Sequence, residues 1–160
     1  MRWIWIDKFT EFTPKASATA VKNVTLAEEH LHDLYPAFPI VPHSLIVEGM
    51  AQTAGILVGE ARNFQEKVIL AKVGRATFHR LVRPGDTIAF HARINQLNEH
   101  GASISGTVTC GIDTVADIEL MFSHVDQNMA GLKFPEHNFV FTEQFTELLK
   151  GYRTNTEVRI

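Results

Sequence analysis

Cysteine is nearly absent: Cys110 is the single one in 160 residues. That excludes an intrachain disulfide framework and any cysteine-rich zinc site, and it fits a reducing, cytoplasmic setting. Long apolar runs are absent as well. No stretch reaches the roughly 18 residues that a transmembrane span requires. At the N-terminus, Met1-Arg2-Trp3-Ile4-Trp5-Ile6-Asp7-Lys8 brings an acid after only four apolar residues, too soon for the core of a signal peptide. Positive charge is not in excess: 15 Lys and Arg stand against 18 Asp and Glu, for a formal net charge of -3. No global basic field exists to hold a nucleic acid backbone. Metal motifs are missing too. The eight His lie at positions 30, 32, 43, 79, 91, 100, 124 and 137, without an HExxH or another cluster typical of a metal site. His30-Leu31-His32-Asp33 comes nearest, and solvated loop histidines are its commoner explanation. The expectation is a protein with no metal, no cofactor, no nucleic acid partner and no membrane partner.

What is present is ordinary globular composition: 45% apolar and 21% charged residues, with eleven Phe. Wholesale disorder is excluded, and the length suits one domain, or a domain with an appendage. Residues 2–12 are rich in aromatic and β-branched types and read as a strand, and 18–25 as a second. Thr25 and Glu28 have the Thr-x-x-Glu spacing of a capping box, which predicts a short helix over 26–33. Pro36, Pro39 and Pro42 then keep 34–42 from being helix or central strand. Residues 44–60 are apolar almost all round, at a length that suits a helix buried on nearly every side. Segments 67–73, 75–81, 87–98, 102–110 and 114–124 read as strands, broken at Gly74, Pro84-Gly85-Asp86, residues 99–101 and residues 111–113. The order predicts an α+β fold, an antiparallel sheet covering a central helix. After about residue 126 the character changes. Residues 127–138 read as a loop, 141–149 as a short amphipathic helix with Phe145, Leu148 and Leu149 on one face, and 154–160 as a frayed end. The division is a main domain over 1–126 and a C-terminal extension over 127–160.

Glu48 is the one charge inside the apolar helix. A buried carboxylate is costly unless it is paired. Either Glu48 reaches solvent or a backbone donor near the helix start, or it is an acid–base group lining a narrow tunnel. Ser44, Glu48, Gln52 and Gly55 fall on one narrow polar or small stripe, which favours the second reading. Lys72, Arg75, Arg80 and Arg83 form a basic set in an acidic chain. They are either a solvated strand face or a docking surface for an acidic partner.

The run Leu34-Tyr35-Pro36-Ala37-Phe38-Pro39-Ile40-Val41-Pro42-His43-Ser44-Leu45-Ile46-Val47-Glu48-Gly49-Met50-Ala51-Gln52 resembles the signature of the 3-hydroxyacyl-acyl-carrier-protein dehydratases of FabZ type. In that signature a His-Phe-Pro-Gly loop leads through a second Pro-Gly into a helix reading Glu-Ala-Met-Ala-Gln. Val21-Lys22-Asn23-Val24-Thr25 resembles the family's second strand. The stretch from Gly74-Arg75-Ala76 to Arg83-Pro84-Gly85-Asp86 resembles its strand ending in Arg-Pro-x-x-Pro-Gly-Asp. The resemblance covers roughly residues 3–125 and not the C-terminal extension. It implies the hotdog fold, a long helix wrapped by an antiparallel sheet. It also implies removal of water from a 3-hydroxyacyl thioester carried by acyl carrier protein or coenzyme A, in a homodimer or larger homo-oligomer. The family's Glu falls on Glu48, and its substrate loop and helix-start amides on Leu34, Tyr35, Pro36, Ala37, His43 and Ser44, with Gln52 farther along the helix.

Three departures are in the glycines: Asp33, Ala37 and His43 stand where the family has Gly. The fourth bears on the chemistry. Leu34 occupies the position of the family's catalytic His, and an isobutyl group transfers no proton. His43 or His32 would then supply an imidazole from a shifted position, or Glu48 would act alone or with water. His43 equally suits a solvent-facing role at the helix start. Three functions follow in order: a dehydratase homologue with impaired catalysis, a non-catalytic acyl-thioester-binding subunit or partner of an active homologue, and a hotdog thioesterase.

Overall fold

The computed structural model describes residues 4–125 and 143–157. Its centre is the segment expected as a buried helix, which forms α2, His43–Glu60. Ile46, Met50, Ala54, Leu57 and Val58 of α2 are fully buried, as an apolar surface on nearly every side requires. Around it curls one six-stranded sheet: β1 (Lys8–Thr13), β2 (Ser17–Asn23), β3 (Val68–Phe78), β4 (Thr87–Leu97), β5 (Gly101–Cys110) and β6 (Asp113–His124). The strand order is β1-β2-β4-β5-β6-β3, and every pairing is antiparallel. The alternation of β5 shows how the sheet meets the helix. Ala102, Ile104, Gly106 and Val108 are buried, and the residues between them are more exposed. Small residues set the approach distance. A Cβ on Gly49 of α2 would strike the Phe90 ring of β4, and one on Gly106 would strike Met50 of α2.

Several boundaries differ from expectation for local reasons. Residues 4–6 do not extend the first strand, because the Trp5 and Ile6 amides turn toward α2 (residues 2–3 lie outside the described residues). The Thr25–Glu28 box does form: Glu28 Oε1 accepts from the Thr25 amide at 3.2 Å, and Thr25 Oγ1 accepts from the Ala27 amide at 3.2 Å. It closes a turn, however, and helix α1 begins after it and spans only Glu29–Asp33. Gly74 does not break a strand. β3 runs through it, with register shifts between Leu70 and Lys72 and between Val73 and Arg75, so the chain bulges there and continues. The segment 127–138, expected as a loop, lies outside the described residues. The C-terminal helix, α3, runs over Glu143–Glu157, longer than the expected 141–149 and into the expected frayed end. It packs on β1, buries Leu149 in the common core, and ties Arg153 to Glu60 of α2 at 2.7 Å. At the opposite edge, among the described residues, β3 pairs with β6 alone, and it exposes Leu70 and Val73.

Candidate active site

Two loops fix where α2 begins. Val41 donates its amide to the Val82 carbonyl at 2.9 Å, which anchors the proline-rich loop to the segment after β3. The Leu45 and Ile46 amides then turn back onto the Pro42 carbonyl to start the helix. The turn Arg83-Pro84-Gly85-Asp86 carries Gly85 at φ 95, a left-handed conformation that suits glycine. Asp86 Oδ2 accepts the Arg83 amide at 2.9 Å, and its Oδ1 accepts Arg80 Nη2 at 3.1 Å. Burial works against this carboxylate, but the Arg83 and Arg80 bonds outweigh it and hold the Asp86 carboxyl below the usual carboxylate range. The same Asp86 bond holds the Arg80 guanidinium above its ordinary value. Arg83 in turn lies over the Phe38 ring, 4.6 Å from its centroid, so this turn also grips the proline-rich loop.

Glu48 lies one turn into α2 and is half-buried. Gln52, one turn later, donates from Nε2 to Glu48 Oε1 at 2.7 Å. The Gln52 Oε1 accepts the Trp5 amide at 2.8 Å and the Ile6 amide at 3.4 Å. The N-terminal segment thus orients Gln52, and Gln52 orients Glu48. Both face a cavity of about 290 Å³. Gly55 and Ile56 continue its α2 wall, Val68 to Leu70 of β3 and Phe122 of β6 form another, and Phe145 of α3 joins them. Glu48 and Gln52 are the polar side chains of this lining, and the rest is apolar. Such a pocket takes a ligand with a reactive polar group at one place and a hydrocarbon body elsewhere.

The polar stripe is therefore realised in part. Glu48, Gln52 and Gly55 meet in the cavity, whereas Ser44 is exposed and does not line it. Leu34, Tyr35, Pro36 and Ala37 are exposed on the loop after α1, as is His32 at its end. His43 stacks on Phe78 of β3, with ring centroids 3.9 Å apart and an interplanar angle of 4°. Its ring is thus engaged at the end of β3. Of the basic set, Lys72 is exposed, Arg75 pairs with Glu119 at 2.7 Å, and Arg80 and Arg83 serve the turn described above. Outside this region, His79 bonds Asp117 at 2.9 Å; that bond, against some desolvation, holds the Asp117 carboxyl below its ordinary value. Sequence reasoning missed the Trp5 amide, Phe122 and Phe145. The helical spacing of Phe145 announced an apolar face without saying what it would meet. Among the described residues, no three His, Cys, Asp or Glu side chains gather as a metal site. No helix there is long and apolar enough to cross a membrane.

An antiparallel sheet wrapped on a long central helix is the hotdog fold. The FabA-like domain model matches residues 3–120. The 3-hydroxyacyl-[acyl-carrier-protein] dehydratase FabZ of Rickettsia rickettsii is 39% identical over 111 residues, 67% of this chain and 75% of the relative. The FabZ of Levilactobacillus brevis is 31% identical over 120 residues, 74% of this chain and 81% of the relative. Among solved structures, the dehydratase heterocomplex ApeI:P from Xenorhabdus doucetiae is similar with a TM-score of 0.62 at 13% identity, over 76% of this chain and 82% of that one. The chain belongs to the FabZ-type 3-hydroxyacyl-[acyl-carrier-protein] dehydratase family.

Proposed function

We propose that this protein binds 3-hydroxyacyl thioesters of acyl carrier protein, with Glu48 as its acid–base group, and that its own dehydratase activity is weak. The observation that carries the reading is Glu48 held by Gln52 in an otherwise apolar cavity, at the position of the family's Glu. Dehydration removes the α-proton to a base and breaks the C3–O bond. The hydroxyl takes a proton and leaves as water, and the 2-enoyl thioester remains. A carboxyl group can serve one of these proton transfers. The family divides them between Glu and an imidazole, and here Leu34 stands in the imidazole's place with an exposed aliphatic side chain.

The active unit in this reading is a cytoplasmic homodimer joined along β3. Among the described residues the strand leaves one edge unpaired, and it exposes Leu70 and Val73 there and forms part of the cavity wall. Lys72, exposed on that same strand, offers a positive charge to a carrier protein. A second reading, a non-catalytic subunit beside an active homologue, is favoured by Leu34 itself. The Xenorhabdus doucetiae neighbour is a dehydratase heterocomplex.

The test is hydration of a crotonyl thioester by wild type, Leu34→His, His43→Ala and Glu48→Gln. Wild type is expected to turn over slowly and Leu34→His faster, because an unperturbed imidazole titrates near neutrality. Glu48→Gln is expected to lower turnover by about 10²-fold or more. Fast wild-type turnover abolished by His43→Ala would put the imidazole at His43 and overturn the assignment of weak activity. Release of free thiol in place of water addition would make the protein a thioesterase.

A further inference from the structure

The family match ends at residue 120, yet Phe145, beyond it, lines the Glu48 cavity. We propose that α3 makes Phe145 a specificity-determining residue, whose ring limits the acyl chain that the cavity accepts. The proposal rests on the reading of this cavity as an acyl-thioester site.

α3 is fastened to the body of the protein at more than one place. Leu149 is buried in the shared core, with 2% exposure, and Phe145, Leu148 and Tyr152 pack against that core. Arg153 bonds Glu60 at the C-terminal end of α2 at 2.7 Å. Leu149 lies one turn beyond Phe145 and Arg153 two turns, so the anchors share one rigid rod with the ring. Phe145 is thus a fixed part of the wall. The chemistry of that wall is divided. Glu48 and Gln52 are bonded to each other and hold the polar part. Ile56, Val68, Phe122 and Phe145 offer only hydrocarbon. A thioester with its reacting carbons at Glu48 has to lay its alkyl chain along these apolar groups. Each methylene buried there improves affinity by about fourfold. The gain stops where the chain meets a ring that cannot withdraw, and the bulk at position 145 contributes to that limit. The specificity of the pocket is therefore set partly by an element outside the stretch that carries the family's motifs.

The experiment measures dissociation constants of the full chain for butyryl, octanoyl and palmitoyl thioesters of both acyl carrier protein and coenzyme A. Wild type is compared with Phe145→Ala, Phe145→Leu and Phe145→Trp, each checked for cooperative thermal unfolding. Phe145→Ala and Phe145→Leu are expected to improve palmitoyl relative to butyryl binding, by about tenfold for Ala, and Phe145→Trp to shift preference toward butyryl. Phe145→Leu and Phe145→Trp keep the test decisive if the Ala variant fails to fold. An unchanged chain-length profile in the folded variants, with wild type binding normally, overturns the role of Phe145 and leaves the acyl site standing. Wild type that binds none of these thioesters overturns the acyl-site reading and this proposal with it.

Discussion

Glu48 is held by a neighbour that carries no charge. Gln52 is 7% exposed and spends its oxygen on the Trp5 and Ile6 amides and its nitrogen on Glu48. Gln52→Leu keeps the apolar packing but takes the acceptor from two backbone donors, and stranding a buried amide costs about 1–3 kcal/mol. For a protein of this size that corresponds to a melting temperature lower by several degrees, roughly 2–4 °C for each kcal/mol. Differential scanning calorimetry checks this, and an unchanged transition would mean that water replaces the lost oxygen. Glu48→Gln should unfold within about 0.5 kcal/mol of wild type, since the site is half open and the shape is preserved. The pair Glu48–Gln52 was legible in the sequence, because four residues on a helix put two side chains on one face. Its third member was not. Trp5 lies 47 residues away and contributes a backbone amide, which no residue pattern encodes.

At the scale of elements, two glycines one and a half turns apart on α2 behave oppositely. A Cβ at Gly49 would sit well within van der Waals distance of the Phe90 ring edge, and that ring is itself fully buried. Gly49→Ala should therefore cost about 1–3 kcal/mol through overpacking, against a helix-propensity gain of about 1 kcal/mol. At Gly55 the nearest atom to such a Cβ is on the Phe122 ring at 3.5 Å, an ordinary contact. Gly55→Ala is expected to keep or raise stability, by up to about 1 kcal/mol, while narrowing the cavity. Urea denaturation of the two variants gives the comparison, and equal stability would deny that α2 sits so close to β4. The Arg83–Asp86 turn adds to the acid dependence of stability, as Asp117 does beside His79. Its Asp86 carboxyl has a folded pKa below the unfolded value of about 3.9. That contribution is present above the unfolded value and is lost as pH falls through the lowered folded one. Asp86→Asn should flatten the stability profile below about pH 4 and leave its slope near neutrality unchanged. The helix α2 and the three meander strands were legible because their hydrophobic pattern is continuous and their turns carry Gly and Pro. Gly74 misled for a physical reason: a glycine within a strand marks a bulge as readily as a break, and the pairing that continues on both sides of it, Val73 with Leu120 and Arg75 with Glu119, is made by β6, distant in sequence.

For the whole molecule, the unresolved balance lies at the two ends of the sheet. The β1 edge has α3 packed against it. The β3 edge has no covering element among the described residues, and it is eleven residues long, with Leu70 at 39% and Val73 at 42% exposure. A long, apolar, unpaired edge is a template for another strand unless it is blunted by charge, proline or a cover. Lys72 and Arg75 supply some charge, but Arg75 is already neutralised by Glu119 across the sheet. A second copy meeting this edge about a twofold axis would pair β3 with β3 antiparallel and satisfy both rows of backbone groups at once. It would also lay a partner beside Ile69 and Leu70 of the cavity wall. Light scattering after size exclusion should therefore give twice the 18.0 kDa of one chain. Val73→Lys places a charge in the middle of that edge and should shift the mass toward one chain at micromolar concentration. Ile112→Lys, at a fully exposed turn between β5 and β6, should leave it unchanged. A wild-type mass of one chain, or a Val73→Lys mass equal to wild type, would remove β3 as the joint.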